Sequence, residues 1–164
     1  MSISATFLPE FDQEMANTRR VLERVPTDKL SWQPHVKSWP FIKLATHLAT
    51  LPTWTTMTIH TSELDISQPF EQPKPTSTAE ILAVFDQTTA EARAALAGAS
   101  DETLFQPWTL RNGEQTLFSM PKVAVLRGFV FNHIIHHRGQ LSVYLRLHDV
   151  PLPSIYGPTA DTKG

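Results

Sequence analysis

Near the end of the chain two histidines, His133 and His137, stand four residues apart within Asn132-His-Ile-Ile-His-His-Arg-Gly-Gln140. On a helix, positions i and i+4 project from the same face. That face is the apolar one, because Leu126, Val130, His133, His137, Leu141 and Tyr144 recur at helical spacing. Two neutral imidazoles in core positions need partners for their nitrogens, and a divalent metal is the most economical partner. His47 is the best third ligand, since it lies on an inward stripe between Leu44 and Leu51. Three neutral imidazoles leave coordination positions open for water or substrate, which suits chemistry more than scaffolding. A single inward histidine is more often a core residue bonded to a backbone carbonyl, so it is the pair that turns the balance towards metal.

The other histidines are placed differently. His136 points about 100° away from His137 on the helix. His35 lies in a loop beside Lys37, while His60 and His148 end helical segments, an ordinary position for histidine. Arg138 and Gln140 are candidates for orienting a ligand imidazole. Gly139 in mid-helix costs about 1 kcal/mol relative to alanine, which predicts a close approach by another segment. Trp32, Trp39, Trp54 and Trp108 lie in or near inter-helix loops, either as an apolar wall over a metal or as ordinary packing. No carboxylate is placed as an evident general base; Asp86 and Glu91 are simply present on the third helix. A phosphate-binding glycine loop, a nucleophile elbow and the Glu-x-x-His di-iron pattern are all missing. His-Glu-x-x-His is missing too, because Ile134 follows His133.

The elements that must position these residues are four helices. Stripes predict them at about 7–25, 40–60, 77–98 and 120–148. The first carries Phe11, Met15, Thr18, Val21, Leu22 and Val25. The second opens at Pro40, and Pro52 should kink it by removing a bond to the carbonyl of Leu48. Ser77 and Glu80 have capping-box spacing at the start of the third, and Gly98 offers a stop. Between the helices run long linkers, and Asn112-Gly113 in the last one signals at most a small β-hairpin. Asp28 to Pro34 and Asp101 to Pro107 echo one another, each running from Asp to an aromatic, Gln and Pro. Either two pseudo-symmetric halves or chance convergence of turn-rich loops accounts for that echo. The fold class expected is all-α, a four-helix bundle with long inter-helix loops, in a single domain over 1–164.

Composition bounds the function. A chain of 164 residues, 41% hydrophobic and 18% charged, suits one globular domain. The net charge of −2, without a basic cluster, argues against nucleic acid as partner. No apolar run is long enough to span a membrane, and the first residues lack a signal-peptide pattern, so the expected location is cytoplasmic. The absence of cysteine leaves any metal to histidine and carboxylate, and any thiol chemistry to a thiol from outside.

The stretch Asn132 to Gln140, followed by Tyr144-Leu-Arg146 and Pro151-Leu-Pro-Ser-Ile-Tyr-Gly157, resembles the DinB/YfiT-like superfamily. Ser38-Trp39 leading into the helix of His47 fits the same pattern, and the resemblance spans nearly the whole chain. It implies a mirror variant of up-and-down bundle topology. It also implies a divalent metal, zinc or nickel, held by His47, His133 and His137, with His136 variable, and a tendency to form homodimers. Some members transfer low-molecular-weight thiols, and others are linked to isomerase or hydrolase chemistry. Two expectations follow for this chain. One is a metal-dependent enzyme acting on a small molecule, presenting a low-molecular-weight thiol to an electrophile. The other is a non-catalytic stress-related or ligand-binding protein with a structural or vestigial metal site.

Overall fold

Helix α1 (Ile3–Leu22) starts where the Ser2 hydroxyl accepts from the Ala5 N–H. The computed structural model describes residues 2–162, so Met1, Lys163 and Gly164 of the expected 1–164 domain lie outside the described residues. The apolar stripe of α1 buries Phe11, Met15, Thr18, Val21 and Leu22. Val25, expected on the same helix, is also buried but lies beyond its end. Helix α2 (Phe41–Thr50) opens after Pro40, and α3 (Thr53–His60) follows it. The helical ladder is interrupted at Leu51 and Pro52 and resumes at once. Both residues keep right-handed helical angles, while Trp54 and Thr55 donate three residues back to Leu51 and Pro52, at 3.1 and 2.9 Å. The missing proline N–H thus turns one expected kinked helix into two.

Helix α4 (Thr78–Gly98) is capped much as its sequence predicts. The Ser77 hydroxyl accepts from the Glu80 N–H at 3.2 Å, but the Glu80 carboxylate reaches Thr76 N–H, at 2.7 Å, rather than Ser77. Helices α1, α2 and α3 all pack on α4, and α1 and α2 also pack on the last helix. Their shared core includes Phe11, Phe41, Leu48, Phe85, Phe131 and Leu141, all essentially without exposure. The Asp-to-Pro echo begins alike and ends differently. Thr27–Lys29 forms a 3₁₀ turn and α5 (Asp101–Phe105) a short helix, yet only Pro107 goes on into a strand.

The all-α expectation is overturned by a three-stranded mixed sheet of order β1-β2-β3. The chain is therefore a mixed α/β fold rather than the expected four-helix bundle. Strands β2 (Pro107–Asn112) and β3 (Gln115–Pro121) form the antiparallel hairpin that Asn112-Gly113 signals, with Gly113 at φ 61°. Strand β1 (Glu63–Asp65) pairs parallel to β2, with Glu63 opposite Thr109 and Asp65 opposite Arg111. Three residues are too few for strand alternation to show in the sequence. Their pairing is fixed from a distance instead. Arg111 donates to Glu63 and to Asp65, each at 2.9 Å, and Gly113 N–H donates to Asp65 at 2.9 Å. Behind the sheet a second small core of Trp108, Leu110 and Val125 meets Trp54, Phe118 and Phe129.

The last helical region is not one helix over 120–148. It begins as α6 (Lys122–Val125), widens into a π turn over Leu126–Phe131, and continues as α7 (Asn132–Arg146). Within it the Asn132 N–H donates to Arg127, five residues back. The added residue rotates everything after it, so α7 buries Ile134, Arg138, Leu141 and Leu145 together with His137. Arg138 is buried beside Glu14, with 2.7 Å between Nη2 and Oε2. Its guanidinium also donates to the Glu14 carbonyl at 3.1 Å and to the Thr18 hydroxyl at 3.2 Å. Tyr156, in the segment after α7, accepts from Arg138 at 2.6 Å and donates to Glu14 at 2.7 Å.

Gly139 does not mark a close approach: a Cβ placed there meets nothing within 4 Å. Gly139→Ala should therefore raise stability by roughly 0.5–1 kcal/mol in urea denaturation. The Glu14–Arg138 pair behaves oppositely. Arg138→Met leaves a buried carboxylate uncompensated and should cost about 3–5 kcal/mol, whereas adding Glu14→Leu should recover much of that loss. Equal stability of single and double variants would show that the charge pairing is not what holds α7.

Candidate metal centre

His47 lies on α2 five residues before Pro52, and His133 and His137 lie on successive turns of α7. The Nε2 atoms of His47 and His133 are 3.4 Å apart, and those of His133 and His137 are 2.9 Å apart. One nitrogen from each ring lies within 4.8 Å of the others, the only such group of three or more His, Cys, Asp or Glu found among the described residues. Two nitrogens each about 2.0–2.1 Å from one tetrahedral ion would be about 3.3–3.4 Å apart. The first separation already matches, and the second needs to open by about 0.5 Å. The donor set therefore fits a divalent ion.

The rings are held from outside. His137 Nδ1 contacts Gln140 Oε1 at 2.7 Å, so the glutamine accepts from Nδ1–H and leaves Nε2 as the free donor atom. Trp39 lies nearly parallel to the His137 ring, 5.6 Å between centroids, and edge-on to His47 at 5.2 Å. The Tyr144 hydroxyl fixes that tryptophan by donating to its carbonyl at 3.0 Å. Electrostatics favour neutral rings. Burial pushes His47 down to about 4, with the His137, His133 and Lys43 charges adding to it. Burial also lowers His133 and His137, against the opposing pull of Phe129 on the first and Gln140 on the second. Neutral imidazole is the form that ligates a metal.

Three hollows border the rings. One of about 380 Å³ runs from His47 past Leu51, Trp54 and Met57 to Asp65 and Phe70. A second, of about 430 Å³, lies between His47, Trp39, Lys43 and Lys74. The third, of about 330 Å³, is bounded by His137, Gln140, Trp39 and Lys37.

The chain matches the sequence profile of the DinB superfamily over residues 10–141. It belongs to the DinB superfamily. Among curated relatives, the uncharacterized protein YrdA of Bacillus subtilis (strain 168) is 29% identical over 162 residues, covering 94% of this chain and 89% of YrdA. The fold resembles that of a DinB-like protein, YjoA, from Bacillus subtilis, with a TM-score of 0.75 at 21% identity, covering 93% of this chain and 99% of that one. A DinB-like protein from Bacillus cereus ATCC 10987 gives a TM-score of 0.72 at 24% identity, covering 94% and 98%.

In this DinB-superfamily chain the three histidines singled out by spacing do meet, and Gln140 orients one of them. His136 is exposed. His35 stays in an exposed loop, with its ring nitrogen accepting from Lys37 N–H at 3.1 Å. His148 packs against Trp32, 4.3 Å between centroids, and His60 borders a separate groove with Glu91. Asp86 pairs with Arg19 on the surface. Neither Asp86 nor Glu91 approaches the rings as a base. Arg138 turns away to Glu14 instead of supporting a ligand. Of the four tryptophans, Trp39 covers the rings and Trp54 lines the first hollow, while Trp32 and Trp108 are packing residues. Asp65 and the segment after it escaped sequence reasoning, because only β1 pairing brings them beside His47.

The depressed histidines give acid sensitivity a sign. In the unfolded chain these rings take a proton near 6.5, whereas folded His47 does so only near 4. Through that window the unfolded state binds more protons, so stability is highest above 6.5 and falls as pH drops towards 4. Denaturation of metal-free protein across this range should show that slope, and His47→Gln should flatten it. A wild-type slope matched by the variant would mean that His47 is not the titrating group.

Proposed function

We propose that this chain is a metal-dependent enzyme in which His47, His133 and His137 hold one divalent cation, zinc or nickel. The convergence of their three ring nitrogens carries this reading. When bound, such an ion lowers the pKa of a thiol or water held at it and stabilises developing negative charge. The chain's own residues do the rest. Gln140 fixes the tautomer of His137, Trp39 shields one side of the rings from water, and the hollows beside His47 and His137 accept a small molecule.

Thiol transfer to an electrophile suits these residues better than hydrolysis. The one carboxylate lining the hollows beside the rings, Asp65, is held far below the usual carboxylate range, chiefly by the Gly113 N–H, with Ser67 and Arg111 adding to it. A carboxylate so firmly ionised is a poor general base. Attack by a thiolate needs no such base, and with no cysteine in the chain the thiol comes from outside.

Metal analysis tests the ligand set. His133→Ala or His137→Ala should abolish stoichiometric zinc or nickel, and His136→Ala should leave it intact. Gln140→Ala should weaken affinity about 10–100-fold. Full occupancy in the triple alanine variant of His47, His133 and His137 would overturn the reading. Chelation then separates catalysis from scaffolding. A catalytic ion should be removable with loss of thiol-transfer activity and little change in melting temperature, whereas a structural ion should take the fold with it.

A further inference from the structure

The hollows on the two sides of His47 differ in character. The one towards α3 is walled by Leu51, Trp54, Met57, Leu64 and Phe70. Its single acid, Asp65, is occupied by Arg111 and by the Gly113 N–H. The other is bounded by Trp39, Ile42, Thr46 and Gln72, with Lys43 from α2 and Lys74 from the segment before α4. No acidic residue lines it. Among the described residues neither lysine is paired with a carboxylate; the only lysine that is so paired is Lys29. Glu71 lines an adjoining depression that shares Gln72, Pro73 and Lys74 with this hollow, but it forms no ion pair with Lys74. Lys43 rests its ammonium 4.7 Å from the Trp39 ring centroid, the same ring that stacks on His137. A third cation, Lys37, borders the hollow on the His137 side, which also has no acid in its wall.

The geometry points to an anion-selective subsite: Lys43 and Lys74 bind a carboxylate-bearing small molecule whose reactive end reaches the three-histidine centre. This rests on the reading above that the centre acts on small molecules. The chain as a whole carries a net charge of −2, so the preference is local, set by two unpaired ammonium groups in a hollow of about 430 Å³. The volume suits a molecule of metabolite size. The apolar hollow, which shares His47 and Gln72 with this one, then takes the uncharged partner, so that the two reactants meet at His47.

The test uses the full chain, both before and after loading with zinc. The indole N–H signal of Trp39, assigned through Trp39→Phe, is followed by NMR during titration with mercaptosuccinate and with 1-thioglycerol. The first probe is a thiol with two carboxylates and the second a neutral thiol of similar size. Mercaptosuccinate should bind at least about tenfold more tightly than 1-thioglycerol, and that preference should shrink as salt is raised. The K43Q/K74Q double variant should lose the preference while keeping its affinity for 1-thioglycerol. Both lysines are exposed, so the variant keeps the core intact. Equal affinities in the wild-type chain, no shift of the Trp39 signal by mercaptosuccinate, or an undiminished preference in the double variant would each overturn the proposal. The titration without zinc reads the lysines alone. A chain that fails to load zinc but still prefers mercaptosuccinate would refute the metal reading and leave the subsite standing.

Discussion

Arg138 is a charge inside the core, and leaving it without a partner would cost several kcal/mol. Glu14 on α1 therefore meets it, and the Tyr156 hydroxyl bridges the two. This pairing has a consequence for the neighbouring residue. With Arg138 locked towards α1, His137 is turned by one helical step of about 100° towards α2 and His47. The imidazole cluster and the buried ion pair are thus two faces of one helix, and the rotation that serves one serves the other. The apolar stripes of α1, α2 and α4 supply most of the burial energy, but they do not by themselves choose this rotation.

Two interruptions of regular helix frame the cluster. Pro52 breaks the ladder just after His47, and the π turn over Leu126–Phe131 lies just before His133. Each leaves backbone groups without their usual partners. At the π turn the Phe129 backbone opposes the lowering that burial imposes on His133. At Pro52 the break lets Trp54 and Met57 of α3 line the hollow beside His47. Departures from helical regularity at these two points shape the space around the rings without disturbing the core beneath them.

The environment of the rings is a compromise between desolvation and ligation. Burial disfavours protonated imidazole, which keeps all three nitrogens available as donors. Three adjacent neutral rings cannot all satisfy one another, since each free Nε2 is an acceptor or a donor but not both. Such a cluster gains from any cation that it can hold.

Much of this was written in local sequence. The i, i+4 spacing of His133 and His137 on an apolar stripe, the capping residues Ser77 and Glu80, the break at Pro52 and the Asn112-Gly113 hairpin are all short-range features. Helix geometry and turn chemistry translate them directly. His47 is legible in the same way, from its place on an inward stripe. What the sequence could not show is set by partners far apart along the chain. Strand β1 exists because Arg111 and Gly113 hold Glu63 and Asp65, 46 to 48 residues away, and so the class is mixed rather than all-α. The π turn, the inward aim of Arg138 and the open space around Gly139 likewise follow from which neighbours the helix meets. Periodicity records which face of a helix is apolar. Only packing decides how far that face is rotated, and which charged side chain is buried because a distant one is there to receive it.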